Sequence, residues 1–210
     1  TGAAIAVLMD AGGMEWGDAE GAKLLLSEGI TGGDETAILV ANGALAIGTA
    51  RNHPRIPVAK GQAMPAWDPR PLLAAGITYC SSAMGADHTA GLVVDPAISG
   101  EAAAVASQEV QVINAVCDTS GFCMFLGPTI DEHSKFFSIM FSEEITNEQM
   151  ANIGWDCLVD EWEFNEKAGF TAADDDMAAC LKEEPIGENM DRVFNVSAEH
   201  IAMAKVRQPP

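Results

Sequence analysis

Positive charge is what this sequence lacks most. Eleven lysines and arginines face 31 aspartates and glutamates, a formal net charge of −20. A surface of that sign repels phosphate backbones and anionic lipid, which argues against nucleic acid or a membrane surface as a partner. Long apolar runs are lacking too. No stretch of about 18 residues suggests a membrane span, and no basic-then-apolar leader opens the chain. The chain starts at Thr1, inside the helix-like TGAAIAVLMDAGG, and so reads as a piece cut from something longer. Cysteines are few, odd in number and irregularly spaced, at 80, 117, 123, 157 and 180. That is not the even framework of a secreted disulfide-rich domain, so a reducing, cytoplasmic setting is expected. The commonest nucleotide and hydrolase signatures, G-x-x-x-x-G-K-[ST], G-x-S-x-G and H-E-x-x-H, do not occur.

What is present belongs to a folded chain. Hydrophobic residues make up 48% and charged residues 20%, and 210 residues give ample core for one large domain or two small ones. Helical periodicity dominates. In GDAEGAKLLLSEG, Asp18 is a candidate N-cap, Ala19, Ala22, Leu25 and Leu26 fall at helical spacing, and Gly29 is the expected stop. GDETAILVANGALAIGTARN repeats the design, capped by Asp34, with Ile38, Leu39, Ala41, Leu45 and Ala46 able to face a core. Five prolines in the twenty residues 52–71 then exclude a regular helix or central strand. This connector predicts a boundary between a first unit, 1–57, and a second, 58–210. Beyond it PLLAAGITYCSSAMGADHTAG is ambiguous. GEAAAVASQEVQVINAVCD predicts a helix with an apolar stripe through Val105, Val110 and Ile113. NEQMANIGWDCLVDEWEFNEKA predicts another, capped by Asn147, with Met150, Ile153, Cys157, Leu158 and Trp162 near one face. A short helix follows TAADDD, and the tail RQPP is expected to fray. Strand signals such as GLVVDP are brief and isolated. The expected fold class is all-α and multihelical.

A few short stretches offer chemistry. In GADHTAG, His88 sits among small residues that let backbone approach a ligand, where an imidazole can exchange a proton near neutral pH. A loop histidine bonded to backbone is the plainer account. Asp87 can orient its ring or cap the following turn. In CDTSGFC, Asp118 closes a helix, Gly121 suits a left-handed cap, and the aspartate can accept hydrogen bonds from a flat heterocycle. Cys123 can serve a soft metal or an iron–sulfur cluster, or both cysteines can be buried thiols, and a Cys117–Cys123 disulfide is conceivable. AADDDM lacks the spaced ligands of a calcium loop and reads as a solvated helix start. His133 is expected at the surface, and His53 and His200 have no visible partner.

Taken together, VAKGQAMPAWDPRPLLAAGITYCSSAMGADHTAG and AVCDTSGFCMF resemble the C-terminal part of the aldehyde ferredoxin oxidoreductase family, tungsten or molybdenum pterin enzymes. EWGDAEGAKLLLSEG and EFNEKAGFTAADDDM match as well, so the resemblance spans nearly the whole chain. It implies an all-α, aldehyde ferredoxin oxidoreductase C-terminal domain-like fold. It implies that DTSGFC is the family's D-x-x-G-L-(C/D) motif with Phe122 for leucine. Asp118 would then hydrogen-bond a pterin, Cys123 would be one of four thiolates of a [4Fe–4S] cluster, and backbone at Phe122 and Met124 would touch the cofactor. His88 matches the family histidine beside the metal, a proton donor or acceptor in aldehyde oxidation. Electrons would pass from the metal to the cluster and then to ferredoxin. The arginines that family members carry four residues before and two after that histidine are here Met84 and Ala90. The β-rich pterin-binding domain and the C-x2-C-x3-C ligands would lie on the missing N-terminal part. The isolated piece is then expected to bind no cofactor, to be inactive and to self-associate. The alternative is a stand-alone helical binding or scaffold domain that kept the fold without the redox centre.

Overall fold

Asp34 caps a helix as its position predicts, its Oδ1 accepting from the amides of Thr36 and Ala37. The helix is not continuous, however. It stops at Ala41, the Asn42 side chain turns back onto the Ile38 carbonyl, and Gly43 takes φ +101° before a second helix begins. A computed structural model describes residues 1–207; the last three residues of the expected fraying tail lie outside it. Among the described residues the helices are α1 (Gly2–Asp10), α2 (Ala19–Thr31), α3 (Glu35–Ala41), α4 (Ala44–Ala50), α5 (Leu73–Ser81) and α6 (Gly100–Ser120). They continue as α7 (Ile130–Phe141), α8 (Asn147–Lys167), α9 (Ala179–Glu183) and α10 (Ala198–Met203). The proline-rich stretch holds one two-residue hairpin, β1 (Val58–Ala59) and β2 (Gln62–Ala63), antiparallel with Val58 opposite Ala63. The fold is all-α, as the periodicity predicts.

The break at Gly43 rotates the core face. Ala37, Val40, Ala44 and Ile47 are buried, whereas Ile38, Ala41 and Leu45 are exposed. α2 departs from expectation twice. It runs past Gly29 to a left-handed Gly32, and none of its residues is buried, leaving Leu24 and Ile30 to solvent. α1, α3 and α4 form one apolar cluster, joined by Val58 and Ala63 of the hairpin. Ala59, the next residue, enters a second cluster with Tyr79, Cys80, Leu181, Phe194 and Ile201.

The central pair is α6 against α8. The buried stripe of α6 is Ala104, Ser107, Gln108, Gln111 and Ala115, not Val105, Val110 and Ile113, which are half-buried. Polar side chains occupy this face because α5 supplies partners: Thr78 and Ser107 hydroxyls lie 2.7 Å apart, and Gln111 Nε2 donates to Ser81 Oγ at 3.0 Å. Gly154 lets α8 cross α6 closely, since a Cβ there would sit 2.5 Å from the Val112 carbonyl oxygen. The cap of α8 is Thr146 rather than Asn147. Thr146 and Gln149 exchange side-chain and backbone bonds in a capping box. Along α8, Met150, Leu158 and Trp162 are buried while Ile153 is exposed.

Three histidines and one acidic run also differ from expectation. His133 is 1% exposed because α7 begins at Ile130 and its first turn closes under Phe122. His53 Nε2 meets Asp10 at 2.7 Å, beside the Arg55 fork on the same carboxylate. His200 Nδ1 lies 3.2 Å from Ser197 Oγ. Of the AADDDM acids, Asp174 caps a short turn, Asp176 pairs with Lys182, and Asp175 is held between Lys60 and Lys205.

Candidate functional site

α6 ends where CDTSGFC begins to turn. Gly121 adopts φ +77°, its amide and that of Phe122 returning to the carbonyls of Asp118 and Cys117. A residue with a side chain resists that conformation, so the glycine sets where the helix stops. The stop separates the two cysteines. Cys117 is buried on the last turn, and burial first, then the charge of Asp118, pushes its thiol up and keeps it protonated. Cys123 is exposed and opens a short turn, Met124–Leu126. Both thiols are free, so no disulfide joins them.

Phe122 anchors the loop between them. Its ring stands edge-on to His133 at 5.2 Å and to Phe136 at 5.0 Å between centroids. With that side chain seated on α7, the loop leaves Cys123 exposed, and Asp118 is exposed on the last turn of α6 before it. The Asp118 carboxylate takes part in no ion pair among the described residues. Met124 is half-buried, whereas Phe125 is 94% and Leu126 73% exposed.

His88 arrives from a different part of the chain. Asp87 caps its turn, with Oδ1 accepting from the amide and hydroxyl of Thr89, both at 2.8 Å. The same oxygen lies 3.6 Å from His88 Nδ1, so capping is the main task of Asp87 and ring contact a lesser one. The turn is fastened to α6 by Asn114, whose Nδ2 donates to the Thr89 carbonyl at 2.9 Å. Asn114 lies one helical turn, about 6 Å, before Asp118. The half-buried His88 and the exposed Asp118 are therefore brought to one stretch of one helix, although thirty residues of sequence separate them.

Beside this stretch runs a cavity of about 730 Å³ lined by Ala83, Met84, Thr119, Asp156, Glu161 and Phe164, among others. Nothing in the sequence marked Glu161. Desolvation pushes its carboxyl up, with Asp118 adding in the same direction, while the Cys157 thiol donates to it at 3.8 Å. Met84, nearly half exposed, forms part of this wall.

The donor chemistry is incomplete as it stands. Among the described residues no three histidine, cysteine or carboxylate side chains are grouped to hold a metal ion. One exposed cysteine and one exposed aspartate can complete a site whose other ligands come from elsewhere; they cannot make one. Residues 2–204 match the family described as aldehyde ferredoxin oxidoreductase, domains 2 and 3. The chain belongs to that family. It is also 26% identical over 209 residues to the tungsten-containing aldehyde ferredoxin oxidoreductase of Pyrococcus furiosus, covering 90% of this chain and 34% of that protein. The chain thus spans about a third of the length of the curated relative that it matches. Its oxidoreductase family and its helical fold agree with one another. Among the described residues no helix is long and apolar enough to cross a membrane.

Proposed function

We propose that this chain is the C-terminal helical part of a tungsten- or molybdenum-pterin enzyme that oxidises aldehydes to carboxylic acids. The observation that carries the reading is the split at Gly121. It leaves the Asp118 carboxylate exposed on the last turn of α6 and the Cys123 thiol exposed on the loop after it, while Asn114 holds the His88 turn one helical turn away.

In this reading Cys123 supplies one thiolate to a [4Fe–4S] cluster, and the other three come from the C-x2-C-x3-C ligands of the missing N-terminal part. Asp118 accepts hydrogen bonds from the amino and ring N–H groups of a pterin, and backbone at Phe122 and Met124 lies along it. When bound, the bis-pterin metal supplies the two-electron chemistry of aldehyde oxidation, and the cluster hands the electrons singly to ferredoxin or a similar acceptor. His88 holds or releases a proton at the reacting carbon's oxygen; aldehyde and water become carboxylic acid, two protons and two electrons. The exposed Phe125 and Leu126 fit burial against the missing domain. Residues 1–57 would close the middle helical domain and 58–210 form the last one, in a cytoplasmic enzyme. Alone, the piece would be inactive and free of cofactor, and a homo-oligomer is compatible with its exposed apolar surface.

The test is made in the full-length enzyme that carries these residues. Cys123→Ala is expected to lose cluster iron and its EPR signal, and His88→Asn to lower turnover with metal content intact. Unchanged iron and an unchanged signal in Cys123→Ala would sink the cluster assignment.

A further inference from the structure

Three backbone carbonyls at and just beyond the end of α5 each receive a donor from a distant segment. Lys60 Nζ donates to the Cys80 carbonyl, Trp162 Nε1 to Ser81 at 2.9 Å, and Asn165 Nδ2 to Ala83 at 2.8 Å. A helix C-terminus leaves its last carbonyls without intrahelical partners, and a cation there also meets the negative end of the helix dipole. Ordinarily water or a glycine cap meets that need. Here an indole, an amide and a buried ammonium do so.

Lys60 is the unusual member. Its side chain is 4% exposed, and it reaches the helix end from the left-handed turn of the hairpin, φ +49°. Burying a cation is costly unless it is paired. Its partner is Asp175, 2.5 Å away, which Lys205 also approaches at 2.8 Å while lying over the Trp162 ring. The same hairpin touches the segment after α5. The Ala86 amide donates to the Ala59 carbonyl at 3.4 Å, and Gly85, at φ +77°, comes so near that a Cβ would lie 2.4 Å from that oxygen. Ser82 Oγ closes the bend on the Gly85 carbonyl at 3.0 Å. The segment 82–87 leads directly into His88.

We infer that Lys60, with Trp162 and Asn165, is a positioning residue: the three fix the exit of α5 and so aim the His88 turn at the cofactor-facing end of α6. The inference rests on the reading of His88 given above. Lys60 touches neither His88 nor the reacting atoms and acts through the loop. Because α8 and the Asp175 segment supply the other contacts, the late part of the chain sets the geometry of a loop about eighty residues earlier.

The experiment uses this chain, with imidazole NMR signals of its four histidines and amide hydrogen exchange. Lys60→Met is expected to shift or broaden the His88 signal and to speed exchange of residues 82–87 at least about tenfold, leaving α6 protected. Lys60→Arg should restore most of the wild-type signal, because it keeps a cation at the helix end. If Lys60→Met does not fold, Asn165→Ala is read in the same way and should loosen Ala83–Gly85. A folded variant with wild-type exchange and an unmoved His88 signal overturns the inference, as does faster exchange spread evenly over α6 and α8. The underlying reading fails separately, by undiminished aldehyde turnover of His88→Asn in the full-length enzyme. In that enzyme Lys60→Met should lower kcat per bound metal with KM little changed.

Discussion

The Phe122 ring stands edge-on to His133 at an interplanar angle of 88°, tying the loop that leads to Cys123 to α7. His133 Nδ1 lies 2.9 Å from the Thr129 carbonyl, and its buried Nε2 has no hydrogen-bond partner among the described residues. Removing the Phe122 ring takes away the loop's contact with α7.

Phe122→Ala is therefore expected to cost about 2–3 kcal/mol, below the ~3–5 of a fully buried phenylalanine because this one is only half-buried. Phe122→Leu, which keeps an apolar anchor, should cost less than about 1.5 kcal/mol. Urea unfolding of both variants checks the order; equal loss in the two would show that apolar bulk alone does not anchor the loop and would overturn the expected order.

The thiols should separate by accessibility. Cys123 is exposed and Cys157 half-buried, whereas Cys80, Cys117 and Cys180 are buried. At pH 8 a limiting thiol reagent is expected to label Cys123 first and Cys80 only on unfolding, read by peptide mass spectrometry. Rapid native labelling of Cys80 contradicts its placement in the core.

High pH should unfold the domain. Burial pushes Cys80 from 9.0 up to about 12, and burial followed by the charges of Asp87 and Asp68 pushes Tyr79 from 10.0 up to about 12. Both groups are neutral when protonated, and the unfolded chain gives up these protons first. Their contribution is intact below about pH 9 and is lost as pH rises toward 12. Thermal melts between pH 8 and 11 should show falling midpoints, and Cys80→Ser or Tyr79→Phe should flatten the fall.

Acid acts at Asp68 with the opposite sign. Desolvation pushes its carboxyl up, but the Arg70 side chain and amide outweigh it, and the net shift is below 3.8. A depressed carboxyl stabilises above its unfolded value and stops doing so as pH falls through the folded one. Asp68→Asn should thus destabilise at pH 7, with the difference from wild type shrinking as pH falls through the depressed folded value. A difference that persists at low pH assigns the effect to packing instead of the ion pair.

The exposed apolar residues predict self-association. Leu24 and Ile30 on α2, Ile139 and Met140 on α7, and Phe125 and Leu126 beside Cys123 are all open to solvent. Sedimentation velocity is expected to show concentration-dependent association, relieved by Phe125→Ser with Ile139→Ser. A strict monomer at high concentration rejects this.

Local physics made much of the fold readable in advance. Asp18 and Asp34 cap helices because a carboxylate beside free amides is a short-range matter, and the five prolines of residues 52–71 exclude a regular helix there. Gly121 marked the end of α6, and with it the separation of Cys117 from Cys123, because left-handed backbone favours glycine in any fold. The order of DPR, GADH and DTSGFC carried the resemblance to the family. Which face each helix buries was decided elsewhere. Ser107 and Gln111 lie inside α6 because hydroxyls about thirty residues earlier on α5 meet them, a pairing that no helical period encodes. His133 went into the core, His53 found Asp10, and Asp175 drew in Lys60 and Lys205, which are far apart in sequence. The His88 turn is fastened to α6, one helical turn before Asp118, because Asn114 reaches Thr89 across the fold. Caps and turns act within a few residues and so are written in the chain; burial and pairing depend on surfaces that exist only once distant segments meet.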